Sequence, residues 1–368
     1  MAHRIKKSGA VTRSLWVAAL LVTLGAGLLW AAACDSEADD GGTVSSGPTA
    51  TEGTTSTSSP GPKLEKLTLV APPGPMAIPM AYMAVNDSLA SVAENTQVVI
   101  WQNADQLRAM VAGEQGDFVT MPSNNSAIFY NKGLVLKALD ISVWNITYLV
   151  TNDPKAASFA DIKGRSLVVS LKGSVPDVMF QYLVKKEGLD PAKDFQLRYV
   201  PDPTQAAQLL LSGQADNAIL SEALATSVIL QSKDSGKPFR RALAFDKAWA
   251  AAIGGAGSAA STPIAGTVAT AAVLDKPEVI AVFEEQYQKA VEWMLANPDE
   301  AGKLVETELP QLGLKAAPMT ASLKNIRWEF TPALEARTDL EAFYRALSEL
   351  SPEVIGGRLP DNGFYYAP

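Results

Sequence analysis

The sequence predicts an α/β protein of two lobes, each built around parallel strand–helix–strand units. Three observations carry this. Residues 158–230 alternate short apolar strands and helices with no padding, the pattern of βαβ units. Two distant segments, Leu107–Asp117 and Ala207–Asp216, share one design: an amphipathic helix, a glycine stop, an acidic residue, then a short apolar strand. Asn152-Asp-Pro154 breaks the chain between them, and the first crossing from lobe to lobe is expected there.

Local signals justify each element. Leu67–Val70 is a first strand, and Ala71-Pro-Pro-Gly-Pro75 turns the chain into a helix beginning near Met76. Gln97–Trp101 is a strand, Ala104–Ala112 a helix, Phe118–Thr120 a strand, and Met121-Pro-Ser-Asn-Asn125 opens a helix ending near Gly133. Leu134–Leu139 and Trp144–Thr151 are extended. In the central stretch Leu167–Ser170 is β-branched and apolar, and Pro176 lies just inside a helix start. That helix runs to Glu187 and stops at Gly188. Gln196–Val200 and Asn217–Leu220 are strands around a helix from Pro203 to Leu211, and Ser221-Glu222 open the next helix. Arg240–Phe245 reads as a strand, followed by a Gly/Ala/Ser-rich loop to Pro263. Thr267–Leu274 then carries the chain back to the first lobe. Val279, Val282, Phe283, Tyr287, Ala290, Val291 and Met294 give a core-facing helical stripe. Helices are expected at 298–306, 316–325 and 337–349. The lobes are therefore 64–152 with 265–368, and 153–264.

The chain's 368 residues allow two domains with sizeable cores. Its one Cys, Cys34, and one His, His3, lie in or beside the amino-terminal segment. Cys or His nucleophile–base pairs, His/Cys zinc sites and disulfides are thereby excluded from the folded part. Residues 1–33 hold Arg4, Lys6, Lys7, Arg13 and no acid, so losing them takes the formal net charge from −8 to −12. That balance disfavours a nucleic-acid partner.

The amino terminus has the layout of an export signal: a basic stretch, then an uncharged apolar run from Leu15 to Ala33. It ends Ala31-Ala-Ala-Cys34, which resembles the bacterial lipobox, whose Cys is diacylated and becomes residue one. An uncleaved transmembrane helix is the alternative. Either way the folded part lies outside the cytoplasm. Asp35–Pro62 is Ser, Thr, Gly, Pro, Asp and Glu with almost no aliphatic side chain, so a disordered tether is expected over 34–63.

In parallel α/β sheets ligands bind beyond the carboxyl ends of the strands. Here those ends carry Ser170-Leu-Lys-Gly-Ser174 and Ser221-Glu222. Phe159-Ala-Asp-Ile-Lys-Gly164, Val168-Val-Ser170, Gly188-Leu-Asp-Pro-Ala-Lys-Asp194, Gly213-Gln-Ala-Asp216, Ser221-Glu222, Leu295-Ala-Asn-Pro-Asp-Glu300 and Phe364-Tyr-Tyr366, in this order and spacing, carry a family resemblance. The chain over about 64–366 resembles the substrate-binding proteins of ATP-driven (ABC) importers, in the group of nitrate, alkanesulfonate, taurine and thiamine-pyrimidine-precursor binders. The resemblance implies a type II periplasmic-binding-protein fold, two α/β lobes joined by two crossover strands that close on a ligand by a hinge motion. It implies a cleft lined by Pro75, Met76, Thr120, Ser123, Asn124, Ser170, Ser174, Val175, Ser221 and Glu222. Trp101, at a strand end, is a further aromatic candidate. Each has a plainer reading. Ser123 and Ser174 can cap helices, Glu222 can sit in a helix's first turn, and Trp101 can be core. Trp144, on the approach to the first crossing, is weighed in the same way, with core packing the default; Trp249, Trp293 and Trp328 are read as packing residues, and Lys172 as a solvated lysine.

The expected function is a lipid-anchored solute-binding component of an ABC importer, delivering a small organic solute (a sulfonate, a pyrimidine-like compound or a relative) to a membrane permease. No catalytic residue, metal or cofactor is expected, and the protein is expected to be a monomer. The one enzymatic branch of the resemblance, fungal pyrimidine synthases, uses an active-site His and a Cys cluster, which the folded part lacks. A membrane-tethered ligand sensor of the same fold is the alternative function.

Overall fold

The structure, a computed structural model, describes residues 62–253 and 260–368. Cys34, the export signal and nearly all of the expected tether lie outside them, as does the middle of the Gly/Ala/Ser-rich loop. In the first sheet β1 (Leu67–Ala71) pairs in parallel with β2 (Thr96–Ile100) on one side and β3 (Phe118–Pro122) on the other. α1 (Ile78–Val85), entered through a 3-10 turn at Pro75–Ala77, joins β1 to β2, and α2 (Ala104–Ala112) joins β2 to β3. After α3 (Ser123–Asn131) come β4 (Leu136–Ala138) and β5 (Asp140–Asn145). The next strand, β6 (Thr147–Thr151), belongs to a second sheet.

That second sheet repeats the plan. β7 (Ser166–Ser170) lies parallel between β8 (Gln196–Val200) and β9 (Asn217–Ser221). α4 (Val175–Lys186) and α5 (Pro203–Leu211) make the two crossovers, and α6 (Leu224–Ser232) follows β9. β6 pairs antiparallel with β9, and β10 (Arg240–Ala244) with β6. After α7 (Phe245–Ile253) the chain returns as β11 (Ala265–Thr270), antiparallel to β3. The orders β2-β1-β3-β11 and β8-β7-β9-β6 match strand for strand: three parallel strands, then an antiparallel one that crosses between lobes. This is the two-lobed, twice-crossed α/β architecture expected from the sequence.

Local chemistry explains why these segments fold so. Pro203 occupies a first-turn position of α5, where no N–H is needed, and Asp202 accepts from Thr204 N at 2.7 Å. Gly188 and Gly213, just past α4 and α5, take φ of 77° and 71°, left-handed values that end a helix and cost other residues strain. The long α8 (Pro277–Ala296) lays its apolar stripe on the first sheet, with Phe283 stacked on Phe118 at 3.8 Å between centroids. Burying such a ring is worth roughly 1.5–3 kcal/mol. α9 (Pro298–Glu308), α10 (Ala316–Leu323), β12 (Arg327–Pro332) and α11 (Arg337–Ser348) follow, and β12 joins the first sheet beside β5.

Three features differ from the expectation. The sheets change between Asn145 and Thr147, not at Asn152–Pro154. The latter is the far end of β6, where Asp153 accepts from Arg165 at 2.6 Å and Arg240 donates to its carbonyl. Residues 245–253, expected as strand end and loop, form α7, anchored by the fully buried Trp249 against Tyr182 and Phe343. β12 was not expected as a strand; it pairs with β5 at the edge of the first sheet.

Candidate ligand-binding site

The crossings mark the edge where the sequence reading expects a cleft. β5 runs into β6 through Ile146 alone, and residues 260–264 lead into β11. The carboxyl ends of β3 and β9 abut these two connections: Ser123 N donates to Ile264 O at 2.8 Å, and Glu222 N to Ile146 O at 2.9 Å.

On the second lobe the predicted residues come together. Ser170 ends β7, Ser174 precedes α4, Val175 begins it, and all three are half-buried. The Ser174 hydroxyl reaches only Ser170 O, at 3.4 Å, and makes no bond to the helix's free N–H groups. On the neighbouring strand half-buried Ser221 lies with its hydroxyl 3.3 Å from that of Thr147. The expected cap role for Ser174 is therefore not filled, and these hydroxyls keep capacity for another partner.

Glu222 behaves differently. Its side chain is fully buried, and Arg241 donates to Oε1 at 2.6 Å. Thr226 donates its hydroxyl to Oε2 at 2.6 Å and its N–H at 3.3 Å. Burial pushes the carboxyl pKa up, against the opposing pull of Thr226 and Arg241. The Arg241 guanidinium also lies 5.3 Å from the Tyr148 ring centre, and Tyr148 donates its hydroxyl to Asn325 O of the first lobe. Glu222 is thus saturated by its own lobe. Arg241, two strands away, was missed by sequence reasoning; the only signal was the pair Arg240-Arg241 opening an otherwise apolar strand.

On the first lobe the predicted residues are mostly committed to structure. Pro75 is buried. Thr120 is fully buried and does not reach the strand end; its hydroxyl lies 3.3 Å from that of Thr267. Ser123 donates to Pro263 O at 2.5 Å, and Asn124 to Val354 O at 3.1 Å. Trp101 donates to Thr120 O at 3.2 Å and packs on the core. Met76 remains half-buried beside Val143, Ile146, Ala265 and Ile326, at the crossings themselves. Trp144, by contrast, is a packing residue as expected, donating to Glu329 O at 2.8 Å.

Two further places hold polar groups or space. Asp140 is 1% exposed in the first lobe, near Ser142, Thr267 and Tyr287, and burial pushes its pKa up to about 8. A groove of about 580 Å³ runs between α9 and α10, lined by Lys303, Thr320 and Lys324 and by none of the predicted residues. Among the described residues no three His, Cys, Asp or Glu side chains gather as a metal site, and no helix is long and apolar enough to cross a membrane.

Fold and edge together have the architecture of the type II periplasmic-binding-protein fold. Residues 92–262 match the family model described as "ABC transporter, phosphonate, periplasmic substrate-binding protein". Among solved structures, an ABC transporter protein from Parabacteroides distasonis is similar at 21% identity and TM-score 0.66, over 82% of this chain and 99% of that one. The periplasmic aliphatic sulphonate binding protein of Escherichia coli is similar at 15% identity and TM-score 0.61, over 83% and 92%. The periplasmic nitrate-binding protein of Synechocystis PCC 6803 is similar at 13% identity and TM-score 0.55, over 82% and 92%. At these identities the likeness is one of fold. No curated protein matches the chain. The family match over 92–262 and the fold of these neighbours agree with the resemblance to importer substrate-binding proteins read from the sequence.

Proposed function

We propose that this protein is the extracytoplasmic solute-binding component of an ABC importer, that it captures a small organic oxyanion, a sulfonate or phosphonate, between its lobes, and that it hands the solute to a membrane permease. The observation that carries the reading is the doubled topology, with the half-buried hydroxyls of Ser170, Ser174 and Ser221 at the carboxyl edge of one copy. Hydroxyls and helix-start N–H groups donate to oxyanions without needing a cation. The family description and the sulphonate-binding neighbour support the same chemistry. Met76 supplies an apolar wall from the first lobe.

The anchor is a diacylated Cys34 that leaves the folded lobes on a tether. Replacing Cys34→Ser is expected to release the protein from the membrane fraction of the producing cell. Retention there would sink the anchor while leaving the binder intact.

Ligand capture is tested by a thermal-shift screen of the mature chain against alkanesulfonates, alkylphosphonates, nitrate and pyrimidines. A ligand that binds only the folded state at a hundredfold its Kd stabilises it by about 2.7 kcal/mol. A rise in Tm with sulfonates or phosphonates supports the reading; a response confined to nitrate or pyrimidines overturns the oxyanion assignment.

A further inference from the structure

Among the described residues three non-glycine residues take positive φ: Asp87 at 49°, Glu114 at 51° and Leu171 at 52°. The first two are exposed polar residues in the turns that follow α1 and α2, where a left-handed residue closes a helix. Leu171 has no such excuse. It follows a strand, it is apolar, and it is 48% exposed. Leucine in this region is strained, and such strain persists only where the surroundings impose it, most often at ligand sites.

The surroundings do impose it. Leu171 N donates to Val200 O at 2.9 Å, and Ser174 N donates back to Leu171 O at 2.8 Å. Gly173 N donates to the Asp177 carboxylate at 2.8 Å, and that fully buried carboxylate accepts from Tyr199 at 3.0 Å. Next to it Lys172 holds its ammonium 5.3 Å from the Tyr199 ring centre. A loop pinned at both ends therefore exposes the apolar side chain of Leu171 in the segment between Ser170 and Ser174.

We infer that Leu171 is a specificity-determining contact for the apolar part of the solute, so that the preferred ligands are amphiphilic anions with an alkyl or aryl group, not small inorganic oxyanions. The inference rests on the oxyanion reading above and narrows it.

The test compares the wild type with Leu171→Asn and Leu171→Gly, both of which tolerate the left-handed conformation, by titration calorimetry with methane-, butane- and octanesulfonate and the matching phosphonates. Wild-type affinity is expected to rise roughly three- to fourfold per buried methylene. In both variants the ratio of octane to methane affinity is expected to collapse, while Tm of the unliganded protein holds or rises, most in Leu171→Gly. Equal chain-length gradients in all three proteins would overturn the role of Leu171 and leave the oxyanion reading standing. Failure of the wild type to bind any member of either series overturns both.

Discussion

The loop after β1 and the loop after β7 occupy equivalent places in the two lobes, yet they are built from opposite materials. The first is Pro72-Pro73-Gly74, with Pro72 buried and the turn made by glycine at φ 120°. The second is Leu171-Lys172-Gly173, all exposed. The contrast continues along each edge. Ser123 and Asn124 use their side chains to hold residues 263 and 354, whereas Ser170, Ser174 and Ser221 spend theirs on little. One topology thus serves two tasks. The first lobe's edge locks the crossings and the carboxyl-terminal segment, and the second lobe's edge keeps donors for a ligand.

The largest effect expected from breaking this division lies at the ion pair under the second edge. Arg241→Ala leaves the buried Glu222 carboxylate without its cation, a loss of about 3–5 kcal/mol for such pairs. Burial already raises the Glu222 pKa, so in the variant the group takes up a proton as pH falls and the loss shrinks. Urea denaturation at pH 5 and pH 8 measures both. A loss under 1 kcal/mol at pH 8 would mean that Glu222 is free for a ligand after all, and the contrast between the edges would blur.

The first lobe has its own buried carboxyl group. Burial pushes the Asp140 carboxyl up to about 8, from an ordinary aspartate value near 3.8. Because the folded pKa is raised, the neutral acid is favoured by folding. Stability from this group is full below about pH 4 and falls as pH rises, by about 1.4 kcal/mol per pH unit, until the folded pKa is passed. Between pH 5 and 7 the cost is about 3 kcal/mol. Asp140→Asn is expected to remove this slope; an unchanged pH–stability curve would show that Asp140 is charged in the folded protein.

Much of this fold was readable in advance because the parallel units announce themselves. Leu167–Ser170 and Asn217–Leu220 are apolar runs closed by polar turns, and Gly188 and Gly213 stop the helices between them. The rest was hidden for physical reasons. The first crossing uses Asn145 and Ile146, which carry no turn signal, while Asn152-Asp-Pro154 turns the chain without changing sheets. β12 is an edge strand of alternating exposure that carries two charges, and α7 runs Ala-rich into a Gly/Ala segment that masks its end. At the edges, the rule that ligands sit beyond strand ends selects Ser170, Ser174 and Ser123 alike. It says nothing of which hydroxyls are already taken, because Pro263 and Arg241 reach their partners only through tertiary pairing.

A smaller effect separates contact between lobes from stability within one. Tyr148 sends its hydroxyl from the second lobe to Asn325 O in the first, and its ring backs Arg241. Tyr148→Phe keeps the ring and removes one hydrogen bond, worth about 1 kcal/mol. Because that bond spans the lobes, its loss should weaken ligand affinity about fivefold, chiefly through faster release. A matching loss in global stability with unchanged affinity would place the bond in the permanent frame, not in closure.

The smallest pair sets one edge against the other. Ser123→Ala removes a buried bond to Pro263 O, so stability is expected to fall by about 1 kcal/mol with ligand affinity nearly unchanged. Ser174→Ala removes a hydroxyl whose only bond within the protein is 3.4 Å long, so stability should stay within about 0.5 kcal/mol while affinity drops several-fold. Paired melting and calorimetry read the two axes independently. If both variants moved along the same axis, the edges would be doing the same job, and the unequal division of labour between two lobes of equal topology would fail.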